Sequence, residues 1–210
     1  MIELFGSALV TFLVIIDPPG CAPIFAGLTS DGTPAHRRAM AVRAALIAWA
    51  ILMFFGLLGR PMLHALGISL ASFRIAGGVM LFMIALDMVF ERRTARRENR
   101  AHSIEGTPEA EDISVFPMAI PMIAGPGSIA SAMLWVSRAD GAAAVITVLA
   151  AITVVIFLTL LALLAAGPIM RLIGERLEAM ITRILGVILA ALAAQFIVDG
   201  IKQSFPSLLG

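Results

Sequence analysis

Ile16-Asp17-Pro18-Pro19-Gly20-Cys21-Ala22-Pro23 interrupts an apolar run that extends from Ile2 to Thr29. A relative of it, Ile123-Ala124-Gly125-Pro126-Gly127-Ser128, interrupts a second run from Ile113 to Val136. Either run is long enough to cross a hydrocarbon core, which takes about 20 helical residues. Proline removes a backbone donor and glycine loosens the helix, so both spans must unwind part-way across. Unwound backbone at that depth is tolerated only where protein buries it or a wet cavity receives it. Two such breaks, at matching places in the two halves of a chain, point to the substrate site of a transporter.

Composition supports a membrane setting. Of 210 residues, 60% are hydrophobic and only 14% charged, with a mean hydropathy of +1.00. A soluble domain carries about 25% charged residues. Four further apolar runs bring the expected spans to six: Ala39–Leu58, Leu70–Phe90, Ala142–Ala166 and Ala179–Ile201 join the two broken ones. No basic residue precedes Arg37, so the first run lacks the basic flank of a signal peptide and is expected to remain as a membrane segment. A single cysteine, Cys21, excludes an intrachain disulfide, and three scattered histidines offer no metal site. No cofactor and no nucleic-acid partner are expected.

The runs divide the chain into residues 1–90 and 113–210, joined by residues 91–112. This linker carries five arginines and then four acids, a solvated tether whose basic part can touch anionic lipid. With six spans, eleven of the fifteen basic residues fall on the linker's side and four (Arg60, Arg74, Arg138, Lys202) on the other. The basic-rich side is cytoplasmic by the positive-inside rule, which places both termini outside the cytoplasm.

The halves also align in order. Residues 16–20 lie over 123–127, Pro61 over Pro168 and Gly67 over Gly174; after a two-residue shift, Arg74-Ile75-Ala76-Gly77 lies over Arg183-Ile184-Leu185-Gly186. Three spans per half is odd, so the halves run in opposite directions through the membrane. The expected fold is therefore an all-α integral membrane protein of six transmembrane helices. They form two inverted three-helix repeats, with spans one and four broken mid-membrane.

Asp17 is the one acid deep in a span. A charged aspartate at a helix centre costs about 2.5–3.5 kcal/mol, which something must offset. Asp17 either caps the half-helix that restarts at Pro18 and Pro19, or faces a cavity where it holds an ammonium or exchanges a proton; the two roles are compatible. Restarting helices expose N–H groups at their positive ends. Gly20, Cys21 and Ala22 are the candidate donors after the first break; after the second, beyond Gly125 and Pro126, they are Gly127, Ser128 and Ile129. Such nests suit a carboxylate. Gln195, in span six, either reaches the cavity or makes a packing hydrogen bond. Gly186, Ala190 and Ala194 form a small-residue stripe for close helix contact.

The segment Asp17-Pro18-Pro19-Gly20-x-x-Pro23-Ile24-Phe25 resembles the first signature of the MarC family. Pro117-Met118-Ala119-Ile120-Pro121-Met122-Ile123-Ala124-Gly125-Pro126-Gly127-Ser128-Ile129 resembles its second. The likeness covers nearly the whole chain, including six spans and the long linker. It implies an inner-membrane protein among transporters of neutral amino acids such as glycine and alanine, with protons as the coupling ion, and it implies that the two broken segments bind substrate. A secondary transporter is thus expected and an enzyme is not: no nucleophile–base or metal constellation and no Walker-type ATP loop is present. The alternative is an exporter or channel for another small solute or ion, for which rings of like polar residues would be expected.

Overall fold

A computed structural model describes residues 1–30, 32–90, 92 and 112–205, with the backbone alone for 167–179. Apart from Arg92, the basic part of the linker lies outside the described residues. Among the described residues eight helical segments follow in order: α1 (Ile2–Ile16), α2 (Pro18–Leu28), α3 (Pro34–Ala65), α4 (Leu70–Val89), α5 (Ser114–Ile123), α6 (Pro126–Arg138), α7 (Ala142–Leu164) and α8 (Ala166–Ser204). Among the described residues there is no strand.

Length and apolarity make six spans of these segments. Ile2–Leu28, Pro34–Ala65, Leu70–Val89, Ala142–Leu164 and Met180–Ser204 each qualify alone, and α5 with α6 makes the sixth as a pair bent by 55°. The first span holds the centre: 72% of its most apolar window is buried, against 28–33% for the other four unbent spans. Those outer spans turn Leu46, Phe54, Ile146, Phe157 and Val187 outward, each at least half exposed, as lipid-facing side chains require.

Start signals are local. Thr33 accepts from the His36 N–H at 3.2 Å ahead of Pro34, and Ser69 accepts from the Ser72 N–H at 3.0 Å ahead of Leu70. Both are side-chain N-caps. Asp112 accepts from the Ser114 N–H at 3.0 Å and from its hydroxyl, and pairs with Arg43 of α3 at 3.0 Å. The Ser114 hydroxyl, with the Ser114 N–H and Arg43, outweighs burial and holds the Asp112 carboxyl below the ordinary aspartate range.

Helices α4 and α8 lie antiparallel along a seam of small residues. A methyl on Gly200 would lie 2.9 Å from the Ala71 carbonyl oxygen, one on Gly78 2.9 Å from that of Ala193, and one on Gly186 3.1 Å from that of Ala85. The three meetings are spaced seven residues apart on both helices, the repeat of a coiled-coil seam. Gly186 belongs to it as the sequence suggests, but it continues through Ala193 and Gly200, with Ala194 turned outward. A seven-residue seam replaces the four-residue stripe because the two helices wrap along each other. Around this pair, α1 and α2 pack on α7, α2 on α8, α3 on α5, α6 and α7, and α4 on α6.

Candidate functional site

The first break is closed by its own side chain. Asp17 takes a left-handed backbone conformation (φ 58°, ψ 68°), which aspartate tolerates better than most residues. It ends α1 and caps α2, with Pro18 and Pro19 at the first helical positions, where a missing N–H matters least. Its Oδ1 accepts from the Gly20 N–H at 3.2 Å, and its carbonyl accepts from the Cys21 N–H at 3.0 Å. The carboxylate folds so tightly over Gly20 that a methyl there would overlap Oδ2. The Cys21 thiol bonds the Ile16 carbonyl across the break at 3.4 Å. Gly20 and Cys21 are therefore engaged internally and do not present free donors, while Ala22 is fully buried in α2. Asp17 itself is 3% exposed.

A different geometry makes the second break. Phe116 and Ile120 each precede a proline and adopt extended backbone angles (φ −124°, ψ 127° and φ −123°, ψ 124°), as the residue before proline must. The Phe116–Pro117 and Ile120–Pro121 bonds are cis. Between them α5 winds wide: the Met118 N–H reaches back five residues to Ile113, and the Ala124 N–H five to Ala119. Helix α6 then restarts one residue later than the motif alignment suggests, with Gly125 at the cap position and Pro126 first in the helix. No side chain caps it. A methyl on Gly125 would overlap the Pro121 carbonyl oxygen, so the turn bars the residue types that cap helices.

The donors are left over as a result. The Ile129 N–H bonds the Gly125 carbonyl at 3.0 Å, and the Ser128 hydroxyl donates across the break to the Ile123 carbonyl at 2.8 Å. Among the described residues nothing accepts from the N–H groups of Gly127 and Ser128, both of which are buried. Gly127 packs against Ile84 of α4, and a methyl on it would lie 3.6 Å from Ile15 Cγ2, two residues before Asp17. The two breaks thus adjoin in the interior.

Three faces of α6 have three surroundings. Gly127 and Leu134 meet α4, and Met133 and Val136 meet Gly59 and Gly56 of α3. The third face carries Ser128, Ser131 and Trp135, with Arg138 at its end. Ser131 Oγ and Trp135 Nε1 are buried without a hydrogen-bond partner, in residues 0% and 7% exposed. Trp135 meets Phe196 of α8 edge to face at 6.1 Å. The Arg138 guanidinium lies 4.2 Å from the Phe196 ring centroid and pairs with Asp199. Gln195 donates to the other Asp199 oxygen at 2.7 Å, so it belongs to this terminal cluster and not to the breaks. Arg74 joins the same end of the molecule by donating to Gln203 at 2.7 Å. Trp135 escapes the sequence reading because a lone tryptophan in an apolar helix looks like an ordinary core residue.

The model of the family described as MarC family integral membrane protein matches residues 2–205. A UPF0056 membrane protein of Archaeoglobus fulgidus is 32% identical over 207 residues, 99% of this chain and 96% of its own. A UPF0056 membrane protein of Methanocaldococcus jannaschii is 36% identical, covering 96% of this chain and 97% of its own. The UPF0056 inner membrane protein YhgN of Escherichia coli is 32% identical, covering 94% and 95%. No solved structure matches the chain.

Proposed function

The chain belongs to the MarC family of integral membrane proteins, and we propose that it is a secondary transporter of small neutral amino acids of the glycine and alanine kind. One observation carries this reading. At the second break two buried N–H groups, on Gly127 and Ser128, lack the acceptor that the Asp17 carboxylate supplies to Gly20 at the first. An unmet buried donor costs about 1–3 kcal/mol, so the site is completed by an acceptor from outside. At a positive helix end that acceptor is best a carboxylate. Asp17, on the adjoining break, is the candidate to meet the substrate ammonium and to carry the coupling proton. The small side chains around the nests, Ala22, Cys21, Ala124 and Ser128, favour a small solute.

Transport by alternating access follows from the arrangement of the halves, which we read as an inverted repeat. Exchanging α1–α4 with α5–α8 turns the α1–α7 contact into α5–α3, α2–α7 into α6–α3, α2–α8 into α6–α4 and α1–α6 into α5–α2. The α3–α7 and α4–α8 contacts map onto themselves; α1–α8, α6–α7 and α7–α8 are the exceptions, with no mate of the same extent. The cross-break bonds also correspond: Cys21 to Ile16 and Ser128 to Ile123 each span five residues at positions 107 apart. Together with the arginine bias, this reading places the protein in the inner membrane with both termini outside the cytoplasm.

Reconstituted protein should take up labelled glycine and alanine saturably, faster under an imposed pH gradient, and show substrate-driven counterflow. Uptake that rises linearly without counterflow would make it a channel. Absence of uptake by folded protein would remove the amino-acid assignment.

A further inference from the structure

Ser128, Ser131, Trp135 and Arg138 recur at intervals of three, four and three, which places them along one face of α6 from the second break to the helix end. Side chains on a helix lean toward its N-terminus, so the Ser131 hydroxyl lies over the turn that holds the Gly127 and Ser128 N–H groups. Threonines elsewhere in the protein return their hydroxyls to their own helix: Thr11, Thr29, Thr147, Thr153 and Thr159 each bond the carbonyl four residues back. Ser131 does not, and it is fully buried. One turn further on, the Trp135 indole N–H is likewise buried and unmet. A buried polar group without a partner is rare, and two in succession above two orphan backbone donors are a pattern.

We propose that this face of α6 is the outer half of the substrate path. The Ser131 hydroxyl and the Trp135 N–H are further binding groups for a small carboxylate-bearing solute on its way to the second break. The inference rests on the carrier reading above and extends it to residues outside the two motifs. At its far end stands the Arg138–Asp199 pair, with the Arg138 guanidinium over the Phe196 ring. The matching face of the first half supports the assignment by contrast. At the same 107-residue offset it carries Cys21, Ile24 and Leu28, with neither a hydroxyl nor an indole at the positions of Ser131 and Trp135.

Trp135 reports on its own surroundings. The chain has two tryptophans, and Trp49 lies outward on α3, bonded to Thr153. A Trp49→Phe protein therefore carries Trp135 as its only indole. Titrating it in liposomes with glycine or alanine should shift its emission saturably, with a midpoint near the uptake KM. Ser131→Ala and Trp135→Phe should each raise that KM about three- to tenfold, the loss of one hydrogen bond, with kcat held. Unmoved emission together with wild-type KM in both variants, in protein that transports, overturns the path and leaves the carrier reading intact. Protein that transports neither amino acid fails the carrier reading instead. The same emission is then titrated with acetate and propionate: a saturable shift supports the path for carboxylates, and none overturns it.

Discussion

At the first break Asp17 turns its carboxylate onto the Gly20 N–H; at the second, Gly125 holds the cap position and the Gly127 and Ser128 N–H groups face no acceptor. Both breaks use proline and glycine in an apolar helix, and both restore one bond across the gap, from Cys21 and from Ser128. They differ in where the negative charge comes from. An internal carboxylate makes the first break self-sufficient, and α1 and α2 continue as one span. The second break has no such carboxylate, and its two helices are bent by 55°. On the reading proposed above, the helix end that carries its own anion is capped from within, whereas the one that does not is completed by the substrate.

Substitutions test that contrast directly. The largest effect is expected from Gly125→Ala, whose methyl would meet the rigid Pro121 carbonyl. It should lower stability by about 1–3 kcal/mol in a detergent melt and abolish uptake. An unchanged melt would show that the cap position is not barred. Next comes Asp17→Ala, which removes the cap and leaves a less tolerant residue in the left-handed region, at a cost of about 2 kcal/mol. Asp17→Asn keeps a good cap and should hold the melt. Loss of proton-driven uptake in the asparagine protein would then assign the charge to transport, and retained uptake would reduce Asp17 to a cap.

Finer comparisons follow. Ser128→Ala should destabilise by about 1 kcal/mol by stranding the Ile123 carbonyl. Cys21→Ala should do less, because a thiol is a weak donor; equal effects would mean that the two cross-break bonds carry similar weight. Smallest is the tie at the start of α5. Because Asp112 is held below the ordinary aspartate range, its contribution is fully present above that range and is lost only as pH falls through its lowered value. Asp112→Asn should shift the melt slightly at neutral pH and flatten the acid limb, with no effect on which solute is carried.

Much of this was legible in the chain because membrane spans are written in length and apolarity. The six spans lie within a few residues of where the apolar runs put them, α3 and α8 extending further as helix beyond their apolar stretches. The breaks were legible because proline and glycine act locally. What the sequence conceals is which donors stay free. That depends on the φ and ψ of Asp17, on the Pro121 carbonyl lying against Gly125, and on the one-residue delay in restarting α6, none of which a residue type encodes by itself. Gln195 illustrates the same limit. A polar residue in an apolar helix suggests a cavity, yet its partner is Asp199, a turn away on the same helix.

The antiparallel seam of α4 and α8 has a mechanical meaning. Backbone comes close to backbone at Ala71–Gly200, Gly78–Ala193 and Ala85–Gly186, with Ile75, Ile197 and Met88 packed directly against the glycines. The next register that matches small residues to small residues is seven positions away, about 10 Å along the axis. A slip of one or two residues would drive a larger side chain such as Ile75 or Ile197 into a gap made for hydrogen atoms. So tight a seam leaves the two helices little room to slide, and on the carrier reading proposed above they would act as a keel about which the rest of the molecule rocks.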